Sequence, residues 1–266
     1  MTGRVLLANT AAVAMVTLSH VGKLNAMSRA MWCELRGAFD SIRGNAGLRC
    51  VVVRGEGGNF CAGGDISEYA DFRFEPASLR RFHEDEVWAA LQAMLECPLP
   101  VVAAIDGQCM GAGVEIASCC DIRLAGISAR FGAPIARLGF PMAPKEARLV
   151  VREAGWCVAR QMLLEAAIFT APDLLARGFL SRVVADDELQ ARTQATVARL
   201  KELSPQAARL NKQTLRALAA VANADARPCT MAGSPVPDGE TDYAWADSPE
   251  HREGIAAFLE KRTPVF

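Results

Sequence analysis

Two apolar, β-branched runs, each opening into a loop of small residues, constrain this chain more than any other feature. Cys50-Val51-Val52-Val53 leads to Phe60-Cys61-Ala62-Gly63-Gly64-Asp65. Val101-Val102-Ala103-Ala104-Ile105 leads to Gly107-Gln108-Cys109-Met110-Gly111-Ala112-Gly113-Val114-Glu115. Such runs, bounded by glycine, read as buried strands, so each loop begins just past a strand's end. The second loop also opens a helix. Small residues let a ligand approach the backbone closely, and free N–H groups at a helix start face it. Two such donors aimed at one point would polarise a carbonyl and hold the negative charge that develops on its oxygen. Glu115 brings a carboxylate to the same place.

The rest of the composition narrows the alternatives. With 266 residues, 51% of them hydrophobic, the chain can bury a large core. A net charge of −1 argues against a nucleic-acid partner, which needs a basic face. Nine cysteines, an odd number without CxxC pairs, sit largely in strand and helix patterns. They read as small apolar residues in a reducing, cytoplasmic compartment. Cys61 and Cys109, inside the two loops, read as packing beside the site. His20, His83 and His251 show no ligand spacing, so no metal site is expected. No apolar run is long enough for a membrane span.

Along the chain, two strands joined by a turn explain residues 4–16, with Asn9-Thr10 interrupting them, better than a signal peptide does. A helix follows from Ser28, with Met31, Leu35, Phe39 and Ile42 at helical spacing. Residues 66–97 read as a mobile, charged helical region that also carries Tyr69, Phe72, Phe82 and Val87. Further on come strand Ile122–Ala125, a helix over Gly155–Ala166, and a helix from Leu174 that ends at Gly178 and runs into a strand. From about residue 203 the pattern is purely helical (Ser204–Ala219 and Asp247–Lys261), around an exposed Pro- and Gly-rich loop over 227–239. Alternating strands and helices predict an α/β core over 1–202 and a helical region over 203–266.

The two loops, with their upstream strands and the acid, resemble those of the crotonase superfamily, the enoyl-CoA hydratase/isomerase family. The likeness extends to Leu24-Asn25-Ala26-Met27, Cys120-Asp121-Ile122-Arg123-Leu124-Ala125, Phe131-Gly132-Ala133-Pro134 and the tail Glu253-Gly254 to Arg262. It implies an α/β crotonase spiral of ββα units with a C-terminal helical trimerisation region, and a homotrimer or hexamer. It also implies an acyl-CoA substrate with no permanently bound cofactor; coenzyme A belongs to the substrate. By position, the oxyanion donors would be the N–H groups of Ala62 and Ala112, each worth roughly 3 kcal/mol of transition-state stabilisation. Lys23, Asn25, Ala26, Ala62, Asp65 and Ile66 match the strip that lines CoA, and Phe258 and Lys261 match residues that reach a neighbouring subunit's CoA. Gly111, Ile135 and Met142 fall on the acyl pocket, whose variable parts are 66–97 and 135–146. Asp65 also suits a helix cap.

The acid–base pattern is where the chain departs from the family. Hydratases of this family carry two glutamates; Glu115 matches the first, but the second place, after Pro134, holds Ile135. An isoleucine moves no proton. Three readings follow. Glu115 alone shuttles a proton, as in an isomerase. Another side chain enters the site (His83, Glu84, Glu86, Lys145 or Glu146) and supports unusual hydration, hydrolysis or decarboxylation. Or the protein binds acyl-CoA with little turnover. The preferred expectation is enolate chemistry of the hydratase/isomerase type, with Glu115 as the one matched acid/base and without efficient ordinary crotonyl-CoA hydration.

Overall fold

The computed structural model describes residues 2–10, 12–224 and 248–266, with side chains described through 219 and again from 248. The chain opens with β1 (Arg4–Thr10) and β2 (Val13–Ser19), followed by α1 (Arg29–Arg43), β3 (Cys50–Gly55), α2 (Pro76–Arg81) and α3 (Ala89–Leu95). Then come β4 (Val101–Ile105), β5 (Gln108–Met110), α4 (Ala112–Ser118), β6 (Ile122–Gly126), β7 (Arg130–Gly132) and α5 (Pro144–Leu164). The last elements are β8 (Ile168–Thr170), α6 (Ala171–Ala176), β9 (Arg182–Val184), α7 (Leu189–Lys201), α8 (Pro205–Ala224) and α9 (Pro249–Glu260).

Six strands form one sheet in the order β1-β2-β3-β4-β6-β9, parallel except for the antiparallel β1–β2 pair. A second sheet, β5-β7-β8, lies beside it. Twice in succession the chain lays a strand in the large sheet, a short strand in the small one and then a helix: β4-β5-α4, then β6-β7-α5. All five residues of β4 are buried, because a central parallel strand is covered on both faces. That coverage is why the run reads as continuously apolar rather than alternating. Helix α1 is capped by Ser28, whose hydroxyl accepts from the Met31 N–H at 3.3 Å, and it buries Met31, Trp32, Leu35, Phe39 and Ile42.

Some boundaries differ from the sequence reading. Asn9 and Thr10 continue β1, paired with Ala14 and Val13; an edge strand tolerates polar side chains that face water. The helix expected over Gly155–Ala166 begins at Pro144, and Gly155, at φ 80°, interrupts it. The 66–97 region divides into a 3₁₀ turn (Ile66–Asp71), α2, a π-helical stretch (Phe82–Trp88) and α3. It buries Phe72, Phe82, Val87 and Leu91 rather than standing off as a charged helix. In the C-terminal region, Lys212 on α8 anchors to the core by donating to the Leu99 carbonyl and to Asp121, each at 2.6 Å. The loop expected at 227–239 lies outside the described residues. Among the described residues, no helix is long and apolar enough to cross a membrane.

Candidate active site

The two glycine-bearing loops are bound to each other. Phe60 N–H donates to the Asp106 carbonyl, Cys61 N–H to Gln108 and Met110 N–H to Cys61, all at 2.8 Å. A Cβ placed on Gly113 would lie 2.6 Å from the Cys61 carbonyl oxygen, closer than real side chains come. Only glycine lets the first turn of α4 sit against the first loop at this point. Gly113→Ala is therefore expected to force the loops apart, costing about 1–3 kcal/mol and lowering Tm by several degrees in a thermal melt.

The backbone donors differ from the expectation. Ala62 N–H donates to the Leu24 carbonyl at 3.0 Å, so it is already engaged. Two residues on, Met27 N–H donates to the Gly63 carbonyl and Asp65 N–H to the Met27 carbonyl, both at 2.8 Å. Gly64 faces Met27 in this parallel bridge. Bridge geometry turns the N–H of Gly64 to the opposite side. That N–H has no hydrogen-bond partner among the described residues, and Gly64 lines the cavity. In the second loop Gly111 N–H is taken by the Gly132 carbonyl at 2.8 Å. Ala112, the first residue of α4, keeps its N–H free, as helix starts do. Gly111 holds φ 46°, which a glycine adopts without strain, and this turn aims the helix start at the cavity.

The cavity measures about 340 Å³, and Glu115 opens into it from α4. So does Glu146, in the first turn of α5, one of five side chains named above as possible entrants. Glu146 is 2% exposed, and His83 Nδ1 stands 3.1 Å from its Oε1. His83 reaches the cavity because the chain is π-wound from Phe82 to Trp88. In a helix with i→i+5 bonding, Phe82 and Val87 align on one face and His83 turns inward beside them. The other candidates from this region turn away: Glu84 pairs with Lys145, and Glu86 with Arg29. Ile135 and Met142 line the cavity as apolar wall.

Burial, and secondarily the nearby Glu146 charge, push the Glu115 carboxyl well above the usual carboxylate range. In the unfolded chain this group ionises at an ordinary carboxylate pH, whereas in the fold it keeps its proton to higher pH. The protein therefore loses stability as pH rises from the ordinary value through the raised one. Glu115→Gln removes that titration. The variant is expected to melt several degrees above the parent at about pH 8, with the gain shrinking towards about pH 5. Melts across that range check the sign.

Of the residues matched to CoA binding, Ala62 and Ile66 line the cavity. Lys23 pairs with Asp65 at 2.7 Å and donates to the Ser67 hydroxyl at 2.7 Å. Asp65 also caps the Ile66–Asp71 turn by accepting from Ser67 N–H. The Asn25 side chain is spent on the backbone: it accepts from His20 N–H and donates to the carbonyls of Glu56 and Asn59. Ala26 is buried, and its carbonyl meets His20 Nδ1. Phe258 is 82% exposed on α9, and Lys261 caps that helix from the left-handed region. The thiols of Cys61 and Cys109 are fully buried, and burial raises both, Cys61 to about 12, which leaves them unreactive packing groups near neutral pH.

Comparison with known proteins places the chain in a family. Residues 8–266 match the family described as enoyl-CoA hydratase/isomerase, and the chain belongs to that family. It is 29% identical over 254 residues to the 2,3-dehydroadipyl-CoA hydratase of Escherichia coli, spanning 96% of this chain and 94% of that one. A probable enoyl-CoA hydratase of Mycobacterium tuberculosis is 28% identical over the same shares. The crystal structure of an enoyl-CoA hydratase/carnithine racemase from Magnetospirillum magneticum superposes with a TM-score of 0.88 at 35% identity, covering 100% of this chain and 96% of that one. The architecture is thus the crotonase fold, and the protein is an enoyl-CoA hydratase/isomerase-like enzyme acting on acyl-CoA thioesters.

Proposed function

We propose that the enzyme adds water across the 2,3-double bond of an enoyl-CoA, using Glu115 and Glu146 as a relocated carboxylate pair. The observation that carries this reading is Glu146: a buried carboxylate from α5 enters the cavity of Glu115, while Ile135 holds the position where the second acid was expected. The thioester oxygen sits between the N–H groups of Gly64 and Ala112. Glu146, oriented by His83, holds a water and takes its proton as the water oxygen bonds to C3. The π electrons of the double bond move to the thioester oxygen, and the two N–H groups stabilise the resulting enolate. Glu115, the carboxyl that burial keeps protonated, delivers its proton to C2. Each carboxyl has then exchanged its protonation state, and solvent resets the pair.

CoA runs outward along Ile66 towards Lys23, whose ammonium exchanges Asp65 for a phosphate. The apolar row Ile255, Phe258 and Leu259 on α9, all exposed, suits packing on another copy of the chain, as a homotrimer would provide. The test of the chemistry is mass spectrometry of the products from a panel of 2-enoyl- and 3-enoyl-CoA thioesters in deuterated water. Hydration with one carbon-bound deuterium at C2 and a new hydroxyl at C3 is the expected result. Double-bond migration or C2 exchange without hydroxyl would assign isomerase chemistry to Glu115 alone. Binding with no exchange would make the protein a carrier.

A further inference from the structure

Two arginines, Arg73 and Arg137, line the cavity without a part in the hydration chemistry, and Arg73 is the half-buried one. It follows the Ile66–Asp71 turn, and its guanidinium lies 3.7 Å from the centroid of Phe140 and 4.3 Å from that of Tyr69. Two aromatic faces hold the plane in place but leave its N–H edges uncommitted. Its side chain makes no ion pair or hydrogen bond among the described residues, although it is half-buried and lines the same cavity as Glu115 and Glu146. It also lines the adjoining open groove with Leu79, Arg80 and Pro144, so it stands between the reaction chamber and the outer surface. The cavity wall around it is apolar, with Ile135, Leu138, Phe140 and Met142. An alkyl tail needs only that wall. Burial weighs against the charge of Arg73, and Tyr69 and the Glu146 carboxylate offset that only through space, without a hydrogen bond, so an anion that bonds the free edge would complete it.

We propose that Arg73 recognises a carboxylate at the far end of the acyl chain, so that the preferred substrates are CoA thioesters of dicarboxylic acids. This rests on the reading of the cavity as the enoyl-CoA site. The thioester end is fixed at Gly64 and Ala112, the chain crosses the apolar wall, and its terminal carboxylate docks on the free N–H edge of Arg73. A fork pre-oriented between two rings suits bidentate carboxylate binding. Arg137 also lines the cavity, but it is exposed and unstacked, and serves as the internal control.

The test pairs saturated ligands of equal length: succinyl-, adipyl- and suberyl-CoA against butyryl-, hexanoyl- and octanoyl-CoA, titrated calorimetrically so that no turnover is needed. At one length or more, the carboxylate-ended ligand is expected to bind at least roughly tenfold tighter. Arg73→Met should erase that preference and leave the methyl-ended ligands unchanged or tighter, while Arg137→Ala should leave the preference intact. Equal or tighter binding of methyl-ended ligands at every length by the parent protein would overturn the proposal. So would an Arg73→Met variant that weakens both series alike, which would make Arg73 a support for Glu146 instead. Binding of neither series would overturn the enoyl-CoA reading itself.

Discussion

Glu115→Gln is expected to lower kcat for enoyl-CoA hydration by roughly 10²–10⁴-fold while changing affinity for a saturated acyl-CoA little. The amide keeps the shape of the carboxyl and fills the same buried position on α4, but it has no proton to deliver to C2. The proposed oxyanion donors are backbone groups on other residues and remain in place, so the thioester is expected still to bind. Steady-state kinetics beside a binding titration separate the two effects. The same substitution is expected to stabilise the fold above the ordinary carboxylate pH. A variant that is more stable yet nearly inactive is the signature of a group held in an unfavourable environment for its chemistry.

Glu146→Gln carries the second large effect, again roughly 10²–10⁴-fold in hydration rate. Here the amide can still meet His83, because it keeps an acceptor oxygen, but it cannot take a proton from water. Exchange of the C2 proton of a saturated acyl-CoA separates the two roles. Under the proposed roles it should survive in Glu146→Gln, where the ionised fraction of Glu115 can still take the C2 proton, and it should fail in Glu115→Gln. Hydrogen–deuterium exchange followed by NMR reads this directly. Loss of both activities in both variants would mean that the pair works as one unit even at C2.

Much of this arrangement was legible in the sequence. The strands that lead to the two loops, the free N–H at the start of α4 and the place of Glu115 follow from β-branched runs ending in glycine. The fold resemblance follows from the order of the motifs. Ala62 was harder to place. In an extended segment N–H groups two residues apart face the same side, so a strand pattern makes Ala62 and Gly64 equivalent; the positive φ of Gly63 and the bond from Ala62 N–H to Leu24 leave the free donor at Gly64. Glu146 and His83 were visible as candidates but not as partners, since they are far apart in the chain and belong to different helices. A 3.6-residue periodicity puts His83 on a charged, solvated face with Glu84 and Glu86. The π winding of Phe82–Trp88 turns it inward, and no local pattern signals that winding. The stacked state of Arg73 was equally hidden, because it depends on Phe140 arriving from beyond β7.

The central claim is that Glu115 and Glu146 act together as the acid and base. Its most direct test is kcat for hydration in Glu115→Gln, Glu146→Gln and the double variant, with each protein first shown to bind acyl-CoA. Groups that serve one transition state are strongly non-additive. The double variant is predicted to be no slower than the slower single variant. A Glu146→Gln variant within about twofold of the parent, or single effects that multiply in the double variant, would contradict the pair.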